Sequence, residues 1–122
     1  MVLRNGGTMH IDDRSPTPDR FVRTIQNLKR ISPSLYFNVP SAYAMLADEL
    51  VKDREFATSF FRELGLLFFA AAALPPATRS KIEEVASDLG QEKLFFASAW
   101  GSTETAPAST VVHYPTTELP PI

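Results

Sequence analysis

Apolar residues in the first third of the chain recur at helical intervals. Phe21, Ile25 and Leu28 are spaced by four and then three residues, which places them on one face of a helix. Thr17 and Pro18 precede this face, in the order typical of an N-cap residue followed by the first helical position. The pattern therefore predicts an amphipathic helix that begins at Pro18.

Three more helices are predicted from the same spacing. One is capped by Ser41, the next opens at Asp53 and ends at Gly65, and the last follows Pro75 and closes at Gly90. Each has apolar residues that share one inward-facing side: Tyr43, Leu46 and Leu50; Phe56, Phe60 and Leu64; and Ile82, Val85 and Leu89.

Short apolar runs between the helices predict β-strands. They cover residues 35–39, 66–70 and 94–97, and the second run is apolar on both faces, as in a strand buried within a parallel sheet. Strands that alternate with helices predict an α/β fold with a largely parallel sheet and flanking helices. Ligands of such folds bind beyond the C-terminal ends of the strands, which makes three loops candidates: residues 38–41, 70–74 and 100–105.

The two ends of the chain follow other patterns. Residues 2–3 and 9–11 flank Asn5 and Gly6, a strong tight-turn pair, and together they predict a β-hairpin. The last segment, residues 106–122, contains four prolines and is predicted to be irregular.

Composition and charge narrow the class of protein. The chain has 122 residues, of which 44% are apolar, a formal net charge of -2 and no cysteine. The missing cysteines exclude disulfides and thiolate metal sites, and no basic stripe suggests nucleic acid or a membrane surface as a partner. The longest apolar run is shorter than the ~20 residues of a membrane span, and the start lacks the apolar region of a signal peptide. A cytoplasmic protein is therefore expected.

The residues from Trp100 to Thr105 are the clearest candidate for chemistry. Gly101 allows a tight turn and the close approach of a ligand, and the hydroxyls of Ser102 and Thr103 suit phosphate oxygens. Glu104 is a hard oxygen ligand for Mg2+, and Trp100 can stack on a purine ring. Taken without further context, the same residues also fit a polar turn that follows a core tryptophan.

The order aromatic–Gly–x–Thr–Glu, here within residues 98–107, resembles the signature of adenylate-forming enzymes. These include acyl- and aryl-CoA synthetases, luciferases and peptide synthetase adenylation domains. Residues 37–40 and 67–75 also match the family in order and spacing. The amino-acid sequence of these three blocks most resembles that of the feruloyl-CoA synthase branch. The resemblance implies a partial AMP-binding domain at residues 1–114 and an irregular Pro-rich tail at residues 115–122.

The resemblance implies a nucleotide role for the loop that starts at Trp100. Thr103 would hydrogen-bond the α-phosphate of ATP or of the acyl-adenylate, and Glu104 would bind Mg2+. Trp100 would lie against the adenine, with Gly101 and Ser102 completing the nucleotide-binding loop. Thr103 and Glu104 are therefore the expected catalytic residues.

The other two blocks are implied to contact the nucleotide and the acid. The turn formed by Ala71, Ala72 and Ala73 would line the adenine and acyl pockets, and Phe37 and Asn38 would lie near the carboxylic acid substrate. In the implied reaction the carboxylate attacks the α-phosphate and expels pyrophosphate, and coenzyme A then takes the acyl group. The closest branch implies a hydroxycinnamate such as ferulate as the acid.

Departures from the family leave alternatives open. Family members usually have a glycine where Ala71 stands, so this position either has a permissive negative φ or holds an alanine in a strained turn. The family's phosphate loop ending in lysine is not found, since residues 5–8 lack the lysine, and the resemblance stops near Thr116. The chain could therefore be a piece of an acid–CoA ligase, a non-catalytic remnant or an independent small α/β binding domain. Exposed sheet edges would favour self-association.

Overall fold

Four strands form one sheet in the computed structural model, which describes residues 2–12, 17–91, 94–105 and 110–114. The strands are β1 (Leu35–Asn38), β2 (Leu66–Ala70), β3 (Phe95–Trp100) and β4 (Thr110–Tyr114), and they lie in that order across the sheet. β1, β2 and β3 are parallel, whereas β4 is antiparallel to β3. The predicted α/β fold with a largely parallel sheet is confirmed.

Four α-helices accompany the sheet: α1 (Pro18–Arg30), α2 (Pro40–Lys52), α3 (Arg54–Phe61) and α4 (Pro76–Asp88). Thr17 and Pro18 occupy the predicted first positions of α1, although the Thr17 side chain makes no capping hydrogen bond. Asp53 caps α3 as predicted, because its carboxylate accepts a hydrogen bond from the Phe56 N–H at 2.9 Å. None of the helices among the described residues is long and apolar enough to cross a membrane.

The helices pack as one layer against one face of the sheet. Tyr36 of β1, Leu67 and Phe69 of β2, and Phe96 of β3 alternate toward this layer and are buried. The predicted inward positions of the helices complete the core: Phe21, Ile25, Leu28, Tyr43, Leu46, Leu50, Phe56, Phe60, Leu64 and Ile82, with Val85 and Leu89 partly buried against them. Removal of this apolar surface from water holds the two layers together.

The opposite face of the sheet, called here the open face, carries apolar side chains that no described element covers. Leu35 and Phe37 of β1 and Val111 of β4 are exposed on it. The Phe37 ring contacts the ring of Phe68 on β2, with 4.9 Å between their centroids, and Phe68 is only partly buried. Parallel sheets normally have both faces covered. β2, which was predicted to be buried on both sides, is fully buried here only on the helix side.

The predicted N-terminal hairpin is wrong. Leu3–Asn5 form a short 3₁₀ helix, and the chain has no strand between residues 7 and 12. The turn at Gly6 does exist, with φ of 75°, but the following Gly7 N–H donates to the Val2 carbonyl at 3.0 Å. The turn is therefore closed by a hydrogen bond back to Val2, at its start, and it does not bring two strands together.

Several predicted boundaries also move. Ser41, predicted to cap α2, lies inside the helix, because α2 begins at Pro40, whose fixed φ suits the first helical position, and Val39 is the N-cap residue. α3 ends at Phe61, before Gly65, and β3 continues to Trp100. Residues 110–114, predicted to be irregular, form β4. The predicted tail at residues 115–122 lies outside the described residues.

Candidate nucleotide-binding site

The three candidate loops lie on the same side of the sheet, at the C-terminal ends of its parallel strands. β1, β2 and β3 are neighbours and parallel, so their C-terminal ends point the same way. The register places Asn38 beside Phe69, and Phe69 beside Ser98. The sheet therefore brings the ends of the three sequence blocks together, as the order of strands and helices predicted.

Trp100 ends β3 and is largely exposed. It alternates with Phe96 and Ser98 on the helix side of the strand, but 61% of its surface is accessible because it lies at the end of the strand. The alternative of a buried core tryptophan is thus excluded. An exposed indole at this edge is available to stack on a planar ring.

The loop after Trp100 presents an ionised carboxylate. Thr103–Thr105 form a 3₁₀ turn, and Gly101 to Glu104 are exposed. The Ser102 side chain hydrogen-bonds to the Glu104 carboxylate, and this contact, with help from a backbone N–H, lowers the pKa of Glu104. Glu104 is therefore negatively charged at neutral pH and can act as an oxygen ligand.

The loop offers oxygen atoms of the kind that hold a magnesium–nucleotide. Among the described parts of the chain, no three His, Cys, Asp or Glu side chains are grouped closely enough to hold a metal ion. Mg2+ is commonly held by one or two carboxylates together with substrate phosphates. Glu104 provides one such carboxylate, and the exposed Thr103 hydroxyl offers a hydrogen bond to a phosphate oxygen.

The turn after β2 contains a strained alanine. Ala71 has φ of 77°, which answers the question left open by the sequence in favour of the left-handed conformation. Ala71, Ala72 and Ala73 are exposed, whereas the next residue, Leu74, is buried in the core. The buried leucine fixes the end of the turn, so its backbone is held at the edge of the sheet.

The two predicted substrate residues, Phe37 and Asn38, point to opposite faces of β1. Phe37 lies on the open face and is 55% exposed, whereas Asn38 is on the helix side and partly buried. Both nevertheless line one cavity of about 1070 Å³ between β1, the second half of α1 and residues 8–12. The cavity could not be foreseen from the motifs, because its walls come from segments well separated in sequence.

The cavity wall includes polar residues that the sequence did not single out. The Asp12 carboxylate accepts hydrogen bonds from the Thr24 hydroxyl and from the Asn27 amide, the latter at 3.0 Å, and all three residues line the cavity. Thr24 is buried within the apolar face of α1, and a polar residue inside that face was the available signal. These bonds attach residues 8–12 to α1 at one point.

The chain is similar to known proteins in family and in fold. All 122 residues match the family described as AMP-binding enzyme. Among solved structures, the chain is similar to a malonyl-CoA ligase in a ternary product complex with methylmalonyl-CoA and AMP, with 27% identity and a TM-score of 0.61. It shares the fold of an anthranilate CoA ligase bound to anthranoyl-AMP, with 19% identity and a TM-score of 0.58.

The matched regions cover 97% and 87% of this chain but only 23% and 18% of the two ligases. The comparison with curated proteins gave no match. The family match extends over the full length of the chain and includes the loop from Trp100 to Thr105. The chain therefore belongs to the AMP-binding enzyme family.

Proposed function

We propose that this chain is part of an ATP-dependent acid–CoA ligase. In this proposal the loops at the C-terminal ends of its parallel strands form one wall of the nucleotide site. The observation that carries the proposal is the exposed loop from Trp100 to Glu104, which directly follows a central parallel strand in a chain of the AMP-binding enzyme family. The two similar ligases, whose structures contain AMP or an acyl-adenylate, support this reading.

The proposed reaction has two group-transfer steps. A carboxylate oxygen of the acid attacks the α-phosphorus of ATP, and the bond to the bridging oxygen breaks so that pyrophosphate leaves. The sulfur of coenzyme A then attacks the acyl carbonyl carbon, AMP leaves with its oxygen, and the thiol proton passes to solvent. Charge neutralisation and positioning are the protein's main contributions to such chemistry.

Residues of the loops after β2 and β3 are proposed to neutralise charge and to position the nucleotide. The Thr103 hydroxyl donates to an α-phosphate oxygen, and the ionised Glu104 binds Mg2+, which neutralises charge on the phosphates when bound. Trp100 stacks on the adenine, and Gly101 and Ser102 complete the loop. Ala71, Ala72 and Ala73 line the adenine and acyl pockets through their exposed turn.

The acid is proposed to be a hydroxycinnamate such as ferulate, bound in the cavity beside β1. The similarity of the sequence blocks to the feruloyl-CoA synthase branch supports this choice. The cavity also suits such a molecule, because it combines the aromatic Phe37 with the polar Asn38. We further propose that the protein is cytoplasmic and that residues 1–114 form the AMP-binding unit.

A second candidate is a non-catalytic chain that holds the fold with little or no nucleotide affinity. It is favoured by one observation: Ala71, at a position where the family usually has a glycine, holds a φ of 77° in the turn that would line the nucleotide. We also propose that the chain self-associates, because β1 is an edge strand and the open face beside it is apolar.

Titration with magnesium–ATP separates the two candidates. Trp100 is the only tryptophan, so its fluorescence reports on the proposed adenine contact directly. A saturable change is expected, and it should disappear without Mg2+ and in Glu104→Ala but persist in Glu84→Ala, which removes an exposed carboxylate on α4. A folded chain that gives no response would count against nucleotide binding by this chain alone and would favour the non-catalytic candidate.

A further inference from the structure

The Asn38 side chain is held at both of its polar ends. Its Oδ1 accepts a hydrogen bond from the Val39 N–H at 2.9 Å, and its Nδ2 donates to the hydroxyl oxygen of Tyr36 at 2.8 Å. A backbone N–H can only donate, so it fixes which end of the amide is oxygen. Asn38 therefore has one orientation, with Nδ2 directed to Tyr36.

Tyr36 is itself rigidly placed. Its ring is 8% exposed and makes edge-to-face contacts with Tyr43 and Phe60, with centroid distances of 5.5 and 5.6 Å. The buried Tyr43 hydroxyl donates toward the carbonyl oxygens of Tyr36 and Phe68, at 3.0 and 2.9 Å, and so ties β1 to β2 at this point. The Tyr36 hydroxyl consequently cannot move away from Asn38 without disturbing the core.

The hydroxyl of Tyr36 stays protonated under ordinary conditions. Burial, with a smaller contribution from the negative charge of Asp12, raises the pKa of Tyr36 to about 12, although the bond from Asn38 acts in the opposite direction. A neutral phenol can accept from Asn38 and still has its own proton to donate. Tyr36 therefore fixes Asn38 without placing a phenolate beside a carboxylic acid.

Counting donors shows what Asn38 still offers. An amide nitrogen has two N–H groups, and Tyr36 occupies one of them. Among the described residues this is the one hydrogen bond that the Asn38 nitrogen donates, and both Asn38 and Tyr36 line the cavity. We propose that Tyr36 is a positioning residue for the acid substrate, holding the Asn38 amide so that its second N–H donates to an oxygen of the acid. The inference rests on the proposed function of the cavity.

The test uses the complete 122-residue chain labelled with 15N. In the ligand-free chain, exchange of the Asn38 side-chain amide protons with water should be slow, and Tyr36→Phe should accelerate it about tenfold by removing the acceptor. Tyr43→Phe is the matched control, because it also removes a buried hydroxyl from the same aromatic cluster but leaves the acceptor of Asn38 in place. Equal acceleration in both variants would overturn the proposal.

Ferulate binding tests whether the Asn38 amide held by Tyr36 contacts the acid. Tyr36→Phe should weaken ferulate binding about three- to tenfold, the effect of one mispositioned hydrogen bond, while the Trp100 response to magnesium–ATP stays unchanged. If Tyr36 acts through Asn38, the double variant Tyr36→Phe/Asn38→Ala should bind ferulate no more weakly than Asn38→Ala alone. Additive losses would overturn the positioning role.

Two failures can be told apart in the same sample. A wild-type chain that binds magnesium–ATP but not ferulate would overturn the inference about Tyr36 and leave the nucleotide proposal standing. A chain whose Trp100 fluorescence does not respond to magnesium–ATP would overturn the proposed nucleotide site, whereas the exchange rate of the Asn38 amide would still decide whether Tyr36 fixes it.

Discussion

At the scale of single residues, the most informative position is Ala71. An L-residue with a side chain pays a steric cost in the left-handed region, where Cβ approaches the carbonyl oxygen, and glycine does not. The chain adopts this conformation at Ala71 all the same, with φ of 77°. The turn after β2 therefore requires the left-handed conformation even though an alanine and not a glycine stands there.

Replacing Ala71 with glycine should stabilise the chain. Relief of the left-handed alanine is worth about 1 kcal/mol, and the greater unfolded-state freedom of glycine offsets only part of it. Urea unfolding should show a higher midpoint for Ala71→Gly. The neighbouring Ala72→Gly is the control: Ala72 is equally exposed but does not have a positive φ, so glycine there should lower the midpoint. A lower midpoint in both variants would mean that Ala71 is unstrained.

The carboxylate of Glu104 should titrate differently once Ser102 is changed. The hydrogen bond from Ser102 is the main cause of its lowered pKa, so Ser102→Ala should raise the pKa back toward the ordinary value of 4.5. Titration of the 13C carboxyl signal of Glu104 measures this directly. Ser80→Ala, an exposed serine on α4, should leave the signal unchanged, and an unshifted midpoint in Ser102→Ala would contradict the proposed contact.

At the scale of elements, α3 is joined to α1 by one ion pair as well as by packing. Asp53 caps α3 and also accepts a hydrogen bond from the Lys29 ammonium at 2.6 Å. The Lys29 bond is the larger cause of the lowered pKa of Asp53, and the Phe56 N–H adds to it. The pKa of Lys29 is correspondingly raised by Asp53. Both groups are thus charged in the folded chain over a wide pH range.

This pair predicts a pH-dependent stability. The pKa of the Asp53 carboxyl is lower in the folded chain than in the unfolded chain, where it is near 3.8. The ionised carboxylate therefore stabilises the fold at pH values above 3.8. This contribution is lost as the pH falls through the pKa of the folded chain. Lys29, with a raised pKa, loses its contribution only above its ordinary value of 10.5. Asp53→Asn should therefore have a lower urea midpoint than the wild type at pH 7.

The difference between Asp53→Asn and the wild type should shrink as the pH falls below 3.8 and through the lower pKa that Asp53 has in the folded chain, because Asp53 is then protonated and both side chains are neutral. Asparagine still caps the helix, so the comparison isolates the charge. Glu84→Gln, which neutralises an exposed carboxylate on α4, serves as the control and should not show this trend. A difference that does not change with pH would show that the ion pair contributes nothing.

Elements were predictable where local spacing determines them and unpredictable where distant contacts do. The buried faces of all four helices follow from residues three and four apart, and the cap at Asp53 needs only its own turn. β4 was missed because the surrounding prolines outweighed the β-branched run Thr110 and Val111, and pairing with β3 decided the outcome. The loop from Trp100 to Thr105 was found from the sequence, whereas the cavity beside Asn38 depends on where α1 and residues 8–12 lie relative to β1.

At the scale of the whole molecule, the sheet has one face covered by helices and the open face, which no described residues cover. The helix side buries aromatic and aliphatic residues almost completely, whereas Leu35, Phe37 and Val111 remain accessible to water on the other side. An apolar sheet face next to an unpaired edge strand favours contact with other molecules. The fold alone therefore predicts association that depends on concentration.

A charge on the open face should reduce this association. Leu35→Glu places a carboxylate among the apolar residues of β1, so the variant is expected to sediment nearer the monomer mass of 13.5 kDa than the wild type at equal concentration. Val22→Glu adds the same charge at an exposed apolar position on α1 and should behave like the wild type. Equal sedimentation of all three chains would remove the open face as the cause.

The order of the strands has a consequence for how the chain folds. Each strand pairs with the next one along the sequence, and the partners in both parallel pairs are separated by roughly thirty residues, so every pairing closes a loop of moderate length. During synthesis, β1, α2, α3 and β2 emerge together and can assemble before β3 has left the ribosome. Among the described strands, the antiparallel β4 follows β3 in sequence and pairs with its free edge, so the strand order allows the sheet to be extended in the direction of translation.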